Sequence, residues 1–178
     1  MKEEIIIAGF GGQGVLSMGK ILAYAGLMGD LEVTWMPAYG PEQRGGTANV
    51  TVILSDSPIS SPIVDSYDTA VILNQQSLDK FESKVKPGGT LIYDPYSINR
   101  VPTRTDITII PVNATEASIE MGNSKTYNMI LLGALLEARN LLDDETVVKG
   151  LKKTLPERHH HLIPLNVEAI AKGKTLVK

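Results

Sequence analysis

The stretch Ile5-Ile6-Ile7-Ala8-Gly9-Phe10-Gly11-Gly12-Gln13-Gly14-Val15 limits the possible folds more than any other part of the chain. Three branched apolar residues in a row suit a parallel strand that is buried on both faces, where polar alternation is lost. A glycine-rich turn follows, and the apolar spacing then takes a helical period. Val15, Met18, Gly19, Leu22, Ala25 and Gly26 fall on one face, and its small residues predict close packing on a sheet. Gly9, Gly11 and Gly14 fit the form G-x-G-x-x-G, in which a tight turn lets a phosphate approach backbone N–H groups at a helix N-terminus. The stretch predicts an α/β fold and offers a phosphate-bearing ligand as one reading.

Length and composition set outer bounds. A chain of 178 residues suits one domain, residues 1–178, with a core large enough to need no staples. A net charge of −3 without a lysine or arginine cluster gives no sign of nucleic-acid binding. The absence of cysteine excludes disulfides and a cysteine-ligated iron–sulfur cluster on this chain. Met1-Lys2-Glu3-Glu4 has no apolar leader, and no apolar run approaches the ~20 residues of a membrane span. The expected location is the cytoplasm.

Strands are expected at 4–8, Leu31–Met36, Ala48–Leu54, Thr69–Leu73, Thr90–Tyr93 and Thr108–Ile110. Helices are expected at 13–29 and at 77–85, the second stopped by Lys86-Pro87-Gly88-Gly89. Asn113 is the expected cap of a helix over 114–121, and Asp143 of one reaching Leu155. A strong helix over Lys125–Asn140 carries Met129, Leu132, Leu135 and Leu136, and the last helix, about 165–172, ends at Gly173. Residues 37–47 and 94–106 read as loops. Strands alternating with helices give a Rossmann-like three-layer sandwich with a mostly parallel sheet.

A dinucleotide site needs more than the glycines. It expects an acid near the C-terminal end of the second strand for the ribose hydroxyls. Glu32 sits at the start of that strand, and its end reads Trp35-Met36-Pro37. The turn also lacks the lysine and hydroxyl residue of a Walker A loop. Tight strand-to-helix packing explains the glycines as well as phosphate contact does. Gln13, a polar amide at a helix start, suits a ligand or partner. The loop Tyr39-Gly40-Pro41-Glu42-Gln43-Arg44-Gly45-Gly46-Thr47 leaves the strand edge where open α/β sheets bind ligands. Its one arginine presents a planar fork that matches phosphate or carboxylate. The flanking glycines leave the backbone open to another surface.

Together, G-F-G-G-Q-G at 9–14 and Y-G-P-E-Q-R-G-G-T-A-N at 39–49 resemble the gamma subunit of the 2-oxoacid:ferredoxin oxidoreductases. Ser61-Pro62-Ile63, Lys86-Pro87-Gly88-Gly89, Asn128 and Leu132-Gly133-Ala134-Leu135 extend the resemblance over nearly the whole chain. The Y-G-P-E-x-R-G-G form is closer to the 2-oxoglutarate and branched-chain types than to the pyruvate type. The resemblance implies a subunit of an enzyme that converts a 2-oxoacid, with 2-oxoglutarate the first expectation, to an acyl-CoA and CO2 while reducing ferredoxin. It implies that thiamine diphosphate, magnesium and iron–sulfur clusters sit on alpha, beta or delta partner subunits. This chain then carries no catalytic residue and no metal, packs on the alpha subunit, and contacts coenzyme A. The implied ligand-binding set is Gly9, Gly11, Gly12, Gln13, Gly14 and Arg44. The implied partner-facing set is Tyr39, Gly40, Pro41, Glu42, Gly45 and Gly46. Made alone, such a chain is expected to form a homodimer or a loose association. Two other readings stay open: an NAD(P)-dependent oxidoreductase, and an interaction domain that binds no small molecule.

Other features have ordinary readings. His159-His160-His161 point in different directions on any regular backbone, so a solvated run is expected before a metal site. Asp65, Asp68 and Asp94 read as turn and strand-end residues, and Met121, Met129 and Leu132 as core. Trp35 suits either an interface or the core.

Overall fold

A computed structural model describes residues 1–41 and 46–178. Among the described residues six strands form one sheet: β1 (Lys2–Phe10), β2 (Glu32–Tyr39), β3 (Thr47–Ser55), β4 (Tyr67–Ile72), β5 (Val85–Tyr93) and β6 (Thr108–Pro111). Their spatial order is β2-β3-β1-β4-β5-β6. The pairs β1–β4, β4–β5 and β5–β6 are parallel. Strand β3 runs antiparallel to both β1 and β2, so it alone opposes the sheet direction.

The helices are α1 (Val15–Met28), α2 (Gln75–Phe81), α3 (Ala114–Glu120), α4 (Tyr127–Arg139), α5 (Asp144–Thr154) and α6 (Ile163–Thr175). The two sheet faces are covered unequally. Ile5, Ile7, Val50, Val52, Leu54, Val71, Leu73 and Ile92 face a large core built from α1, α3, α4, α5 and α6. Ile6, Ala8, Ala70, Ile72 and Leu91 face a smaller one closed by Leu78 and Phe81 of α2. The uninterrupted apolar run in β1 thus serves both faces, as its sequence predicts. Gly19 and Gly26 of α1 lie against Val50 and Leu54, the close packing expected of that helix.

Several boundaries differ from expectation, each for a local reason. The loop expected at 37–47 is shorter, because the ladder continues through Pro37↔Val50, Ala38↔Asn49 and Tyr39↔Ala48. A proline is tolerated there because β2 is an edge strand with one unpaired side. Helix α2 ends at Phe81, and Pro87-Gly88-Gly89 fall in β5 as a wide irregularity between the pairs Tyr67↔Val85 and Thr69↔Thr90. Asn113 makes no side-chain cap on α3. The Asp94 carboxylate does so from the end of β5, accepting from Thr115 N at 3.0 Å. Asp143 caps α5 as expected, accepting from Thr146 N at 2.7 Å. Helix α6 does not stop at Gly173 but runs to Thr175.

Gly173 has a packing role instead. A Cβ there would overlap the carbonyl of Ile130 in α4, and a Cβ on Gly133 in α4 would overlap the carbonyl of Ile170 in α6. The two helices therefore cross backbone to backbone at a reciprocal pair of glycines, closer than any side chain permits. At the opposite edge of the sheet from the glycine turn, the buried Glu3 carboxylate accepts from Arg139 Nε at 2.8 Å, Arg139 Nη2 at 3.0 Å and Thr69 Oγ1 at 2.6 Å. The loop expected at 94–106 contains a single 3-10 turn, Pro95–Ser97, and its irregular remainder is pinned by Glu82. This carboxylate accepts from Arg100 Nη1 at 2.8 Å and from the backbone amides of Thr103 and Arg104. Burial opposes its ionisation, but those hydrogen bonds outweigh burial and hold its pKa below the ordinary 4.5.

Gly173→Ala is expected to lower stability by about 2–3 kcal/mol, because neither backbone can retreat without separating the helices. Equilibrium urea unfolding measures this. For Glu82, a depressed folded-state pKa means its stabilisation is full above pH 4.5 and is lost as pH falls through the folded value. Glu82→Gln should therefore lower Tm at pH 7, and thermal melts across pH should show the gap to wild type closing below pH 4.5.

Candidate functional site

Strand β1 leaves for β2 on one side of the sheet, while β4 lies on its other side. The crevice between the carboxyl ends of β1 and β4 is thus the point where ligands bind open α/β sheets. The glycine turn lies in this crevice and is held at several points. Leu73 N donates to Ala8 O at 2.9 Å, closing the two strand ends. The Gln13 carboxamide spans the gap, its Oε1 accepting from Phe10 N at 2.6 Å and its Nε2 donating to Leu73 O at 3.2 Å. Both ends of this amide are engaged in fixing the turn.

The glycines separate into different roles. A Cβ on Gly9 would come within 2.5 Å of Gln13 Oε1 and 2.9 Å of Leu73 Cβ, so packing excludes any side chain there. Gly14 has φ +78 and is the N-cap of α1, and its Cβ position is filled by the Asn128 side chain. Gly11 N donates to Gly46 O at 2.9 Å, which joins the turn to the β2–β3 hairpin. Gly12, at φ +95, is the glycine of the turn whose Cβ position has nothing within 4 Å among the described residues. Of the hairpin residues, Gly40 N donates to Thr47 O at 2.7 Å and Tyr39 is 72% exposed. Glu42, Gln43, Arg44 and Gly45 lie outside the described residues.

Gly12 opens into a groove of about 410 Å³. One wall is Gly12, Gln13 and Gly14. The other carries Tyr96 and Ser97 after β5, Thr115 and Ser118 of α3, and Ser124, Lys125, Tyr127 and Asn128 at the start of α4. Helix α1 begins at this groove with no side-chain cap and no acid in its first turn. Its first N–H groups lack intrahelical acceptors, and they leave partial positive charge at that end. Lys125 adds a full charge. Thr115 Oγ1 donates to Asp94 Oδ2 at 2.5 Å and Ser118 Oγ to Thr115 O at 2.7 Å, so the serine and threonine hydroxyls left as donors for the groove are those of Ser97 and Ser124. The arrangement favours an anion with several oxygen acceptors. The buried Tyr127 oxygen makes no hydrogen bond among the described residues. Burial, with the nearby Asp94 carboxylate, raises its pKa, so the phenol stays protonated as a donor.

Sequence reasoning reached the turn and, on the opposite wall, picked out Asn128 as part of the resemblance but not its neighbours in the groove. The residues there come from one segment at 96–97 and two neighbouring ones at 115–118 and 124–128, all distant from the turn in sequence, and they read as a loop and as ordinary helix starts. The polar run Asn123-Ser124-Lys125-Thr126 ahead of an apolar helix was the available signal. The alternative dinucleotide reading loses further ground here. Strand β3 separates β2 from β1, and β2 ends at Tyr39 with no acid. His160 Nε2 lies 2.9 Å from Leu155 O and 3.0 Å from Lys152 O at the end of α5. Trp35 is 39% exposed on the β2 edge, and Met129 and Leu132 are core.

Residues 4–176 match the family model described as pyruvate ferredoxin/flavodoxin oxidoreductase. The chain belongs to this family. Within it, the chain is 39% identical over 172 residues to ketoisovalerate oxidoreductase subunit VorA of Methanothermobacter thermautotrophicus, covering 96% of this chain and 35% of that protein. It is 34% identical over 182 residues to 2-oxoglutarate synthase subunit KorC of Methanocaldococcus jannaschii, covering 100% of this chain and 95% of KorC. The chain thus spans about a third of the ketoisovalerate relative and nearly all of the 2-oxoglutarate one. Its fold matches a 2-oxoglutarate:ferredoxin oxidoreductase from Magnetococcus marinus, solved with 2-oxoglutarate, coenzyme A and succinyl-CoA bound. The TM-score is 0.88 at 28% identity, over 98% of this chain and 31% of that one. The family domain therefore exists both as a nearly complete subunit and as part of a longer chain.

Gln13→Glu is expected to destabilise the chain by about 1–3 kcal/mol, since the carboxylate cannot donate to Leu73 O and would face that carbonyl unpaired. Gly14→Ala should cost more than Gly12→Ala, because both strain a positive φ but Gly14 also meets Asn128. Chemical denaturation of the three variants gives the order.

Proposed function

We propose that this chain is the gamma-type subunit of a 2-oxoacid:ferredoxin oxidoreductase, and that its carboxyl-edge groove receives the phosphate-bearing part of coenzyme A. The supporting observation is the convergence on one groove of Gly12, the uncapped start of α1, Lys125 and the hydroxyls of Ser97 and Ser124. Within the ligand-binding set, Gly9, Gln13 and Gly14 shape the turn, Gly11 ties it to the hairpin, and Gly12 gives the ligand close access. Arg44 adds a fork for a second phosphate or for a partner.

The overall reaction is oxidative decarboxylation of a 2-oxoacid, 2-oxoglutarate first, to acyl-CoA with reduction of ferredoxin. Thiamine diphosphate, magnesium and iron–sulfur clusters belong to the alpha, beta or delta partners. This chain forms a single gamma-type domain over residues 1–178 and works in the cytoplasm. Among the described residues no helix is long and apolar enough to cross a membrane. Tyr39, Gly40, Pro41, Glu42, Gly45 and Gly46 face the alpha subunit. The exposed Trp35 and Met36 on the same edge strand give the isolated chain a tendency to self-associate.

Anaerobic purification through a tag on this chain is expected to recover larger chains with thiamine diphosphate and iron. The complex should reduce a viologen dye in a reaction that requires both a 2-oxoacid and coenzyme A, with 2-oxoglutarate the best of a substrate panel. Lys125→Ala and Arg44→Ala should each raise KM for coenzyme A about tenfold, as expected for loss of one charge-assisted contact. Recovery of the chain alone without this activity overturns the subunit reading. An active complex with unchanged KM in both variants leaves the chain a structural role only.

A further inference from the structure

The conformation of the glycine turn depends on a residue 114 positions away. Asn128, the second residue of α4, donates from Nδ2 to Gly14 O at 3.2 Å. Its side chain also fills the space over Gly14, where any Cβ would overlap it. Gly14 O accepts the first bond of α1 as well, from Met18 N at 3.0 Å, so the carboxamide grips the residue from which α1 starts. Gln13 holds the other side of the turn to β4 through Leu73 O. The segment 10–14 is therefore held from the β4 side by one carboxamide and from the α4 side by another, with no other described residue over the Cβ position of Gly12 between them.

Helix α4 is a firm base for this contact. Met129 through Leu136 are buried, and the reciprocal glycine crossing holds α4 to α6. Asn128 itself is only partly buried and lines the groove. A change there alters the turn without touching the buried face of the helix.

We infer that Asn128 is a positioning residue. Through Gly14 it sets the direction in which Gly12 and the first N–H groups of α1 face the groove. It thereby sets affinity for the ligand there and not the rate of the chemical step. The ligand is taken as coenzyme A, so this part rests on the function proposed above. The contact is one neutral hydrogen bond plus a steric support, and its loss is expected to weaken binding about tenfold.

Asn128→Leu tests this, because leucine keeps the branching and heavy-atom count of asparagine, adds no charge and removes the donor. Two measurements are needed. In the assembled complex, KM for coenzyme A should rise about tenfold, while kcat at saturating coenzyme A and KM for the 2-oxoacid stay unchanged. In the full chain alone, amide hydrogen exchange at Gly12–Leu16 should quicken, while Met129–Leu136 keep their protection. Wild-type behaviour in both measurements overturns the inference. Equal loss of protection in both segments, with kcat falling too, also overturns it, because the residue then only supports α4. If the wild-type complex shows no dependence on coenzyme A, the proposed function fails. The exchange pattern still decides whether Asn128 positions the turn.

Discussion

The antiparallel ladder between β1 and β3 fixes what stands at the carboxyl edge. Its register runs without a break from Lys2↔Ser55 to Phe10↔Thr47. Because β3 starts opposite the last residue of β1, Gly46, which precedes it, lies beside the glycine turn with its O in reach of Gly11 N. A slip of one residue would turn Val50, Val52 and Leu54 out of the larger core, so the burial of that face enforces the register. Gly11 of the first sequence motif and Gly46 of the second meet for this reason. The same insertion moves β2 one strand spacing, about 4.8 Å, farther from the turn. A ribose-binding acid on β2 could not serve the turn from there in the usual way.

A glycine-rich turn is commonly read as a phosphate cradle. Here, most of its unusual residues have other duties. Gly9 leaves room for the Gln13 amide, Gly14 for the Asn128 amide, and Gly11 gives its N–H to the hairpin. Packing and openness are therefore complementary in this turn. The tight parts hold the open part, Gly12, at the mouth of the groove. Such a turn is pre-organised, so a ligand need not order it on binding.

Local signals identified most of the architecture. The β1 run, the period of α1 and α4, and the Asp143 cap were all legible because neighbouring residues decide them. The failures share one cause, which is a distant partner. Asn113 has the right chemistry for a cap, but Asp94 reaches Thr115 first from the end of β5. Gly173 has the chemistry of a helix stop, but α4 requires a glycine at that point inside α6. Pro37 suggests a loop, but an edge strand accepts it. In the site, the turn was readable as a motif. The wall from Ser97, Thr115 and Lys125 was not, because only the fold brings those segments together.

The Glu3–Arg139 pair has a consequence for the order of folding. Glu3 is 5% exposed and takes both of its charge-assisted partners from the last residue of α4. During synthesis, β1 can pair with β3 and β4 long before Arg139 is made. Until then, a carboxylate in the central strand has only the Thr69 hydroxyl to offset its removal from water. The nascent sheet thus gains full stability only after α4 emerges. The guanidinium makes completion of the N-terminal strand conditional on the C-terminal half, and so favours cooperative folding of the two halves.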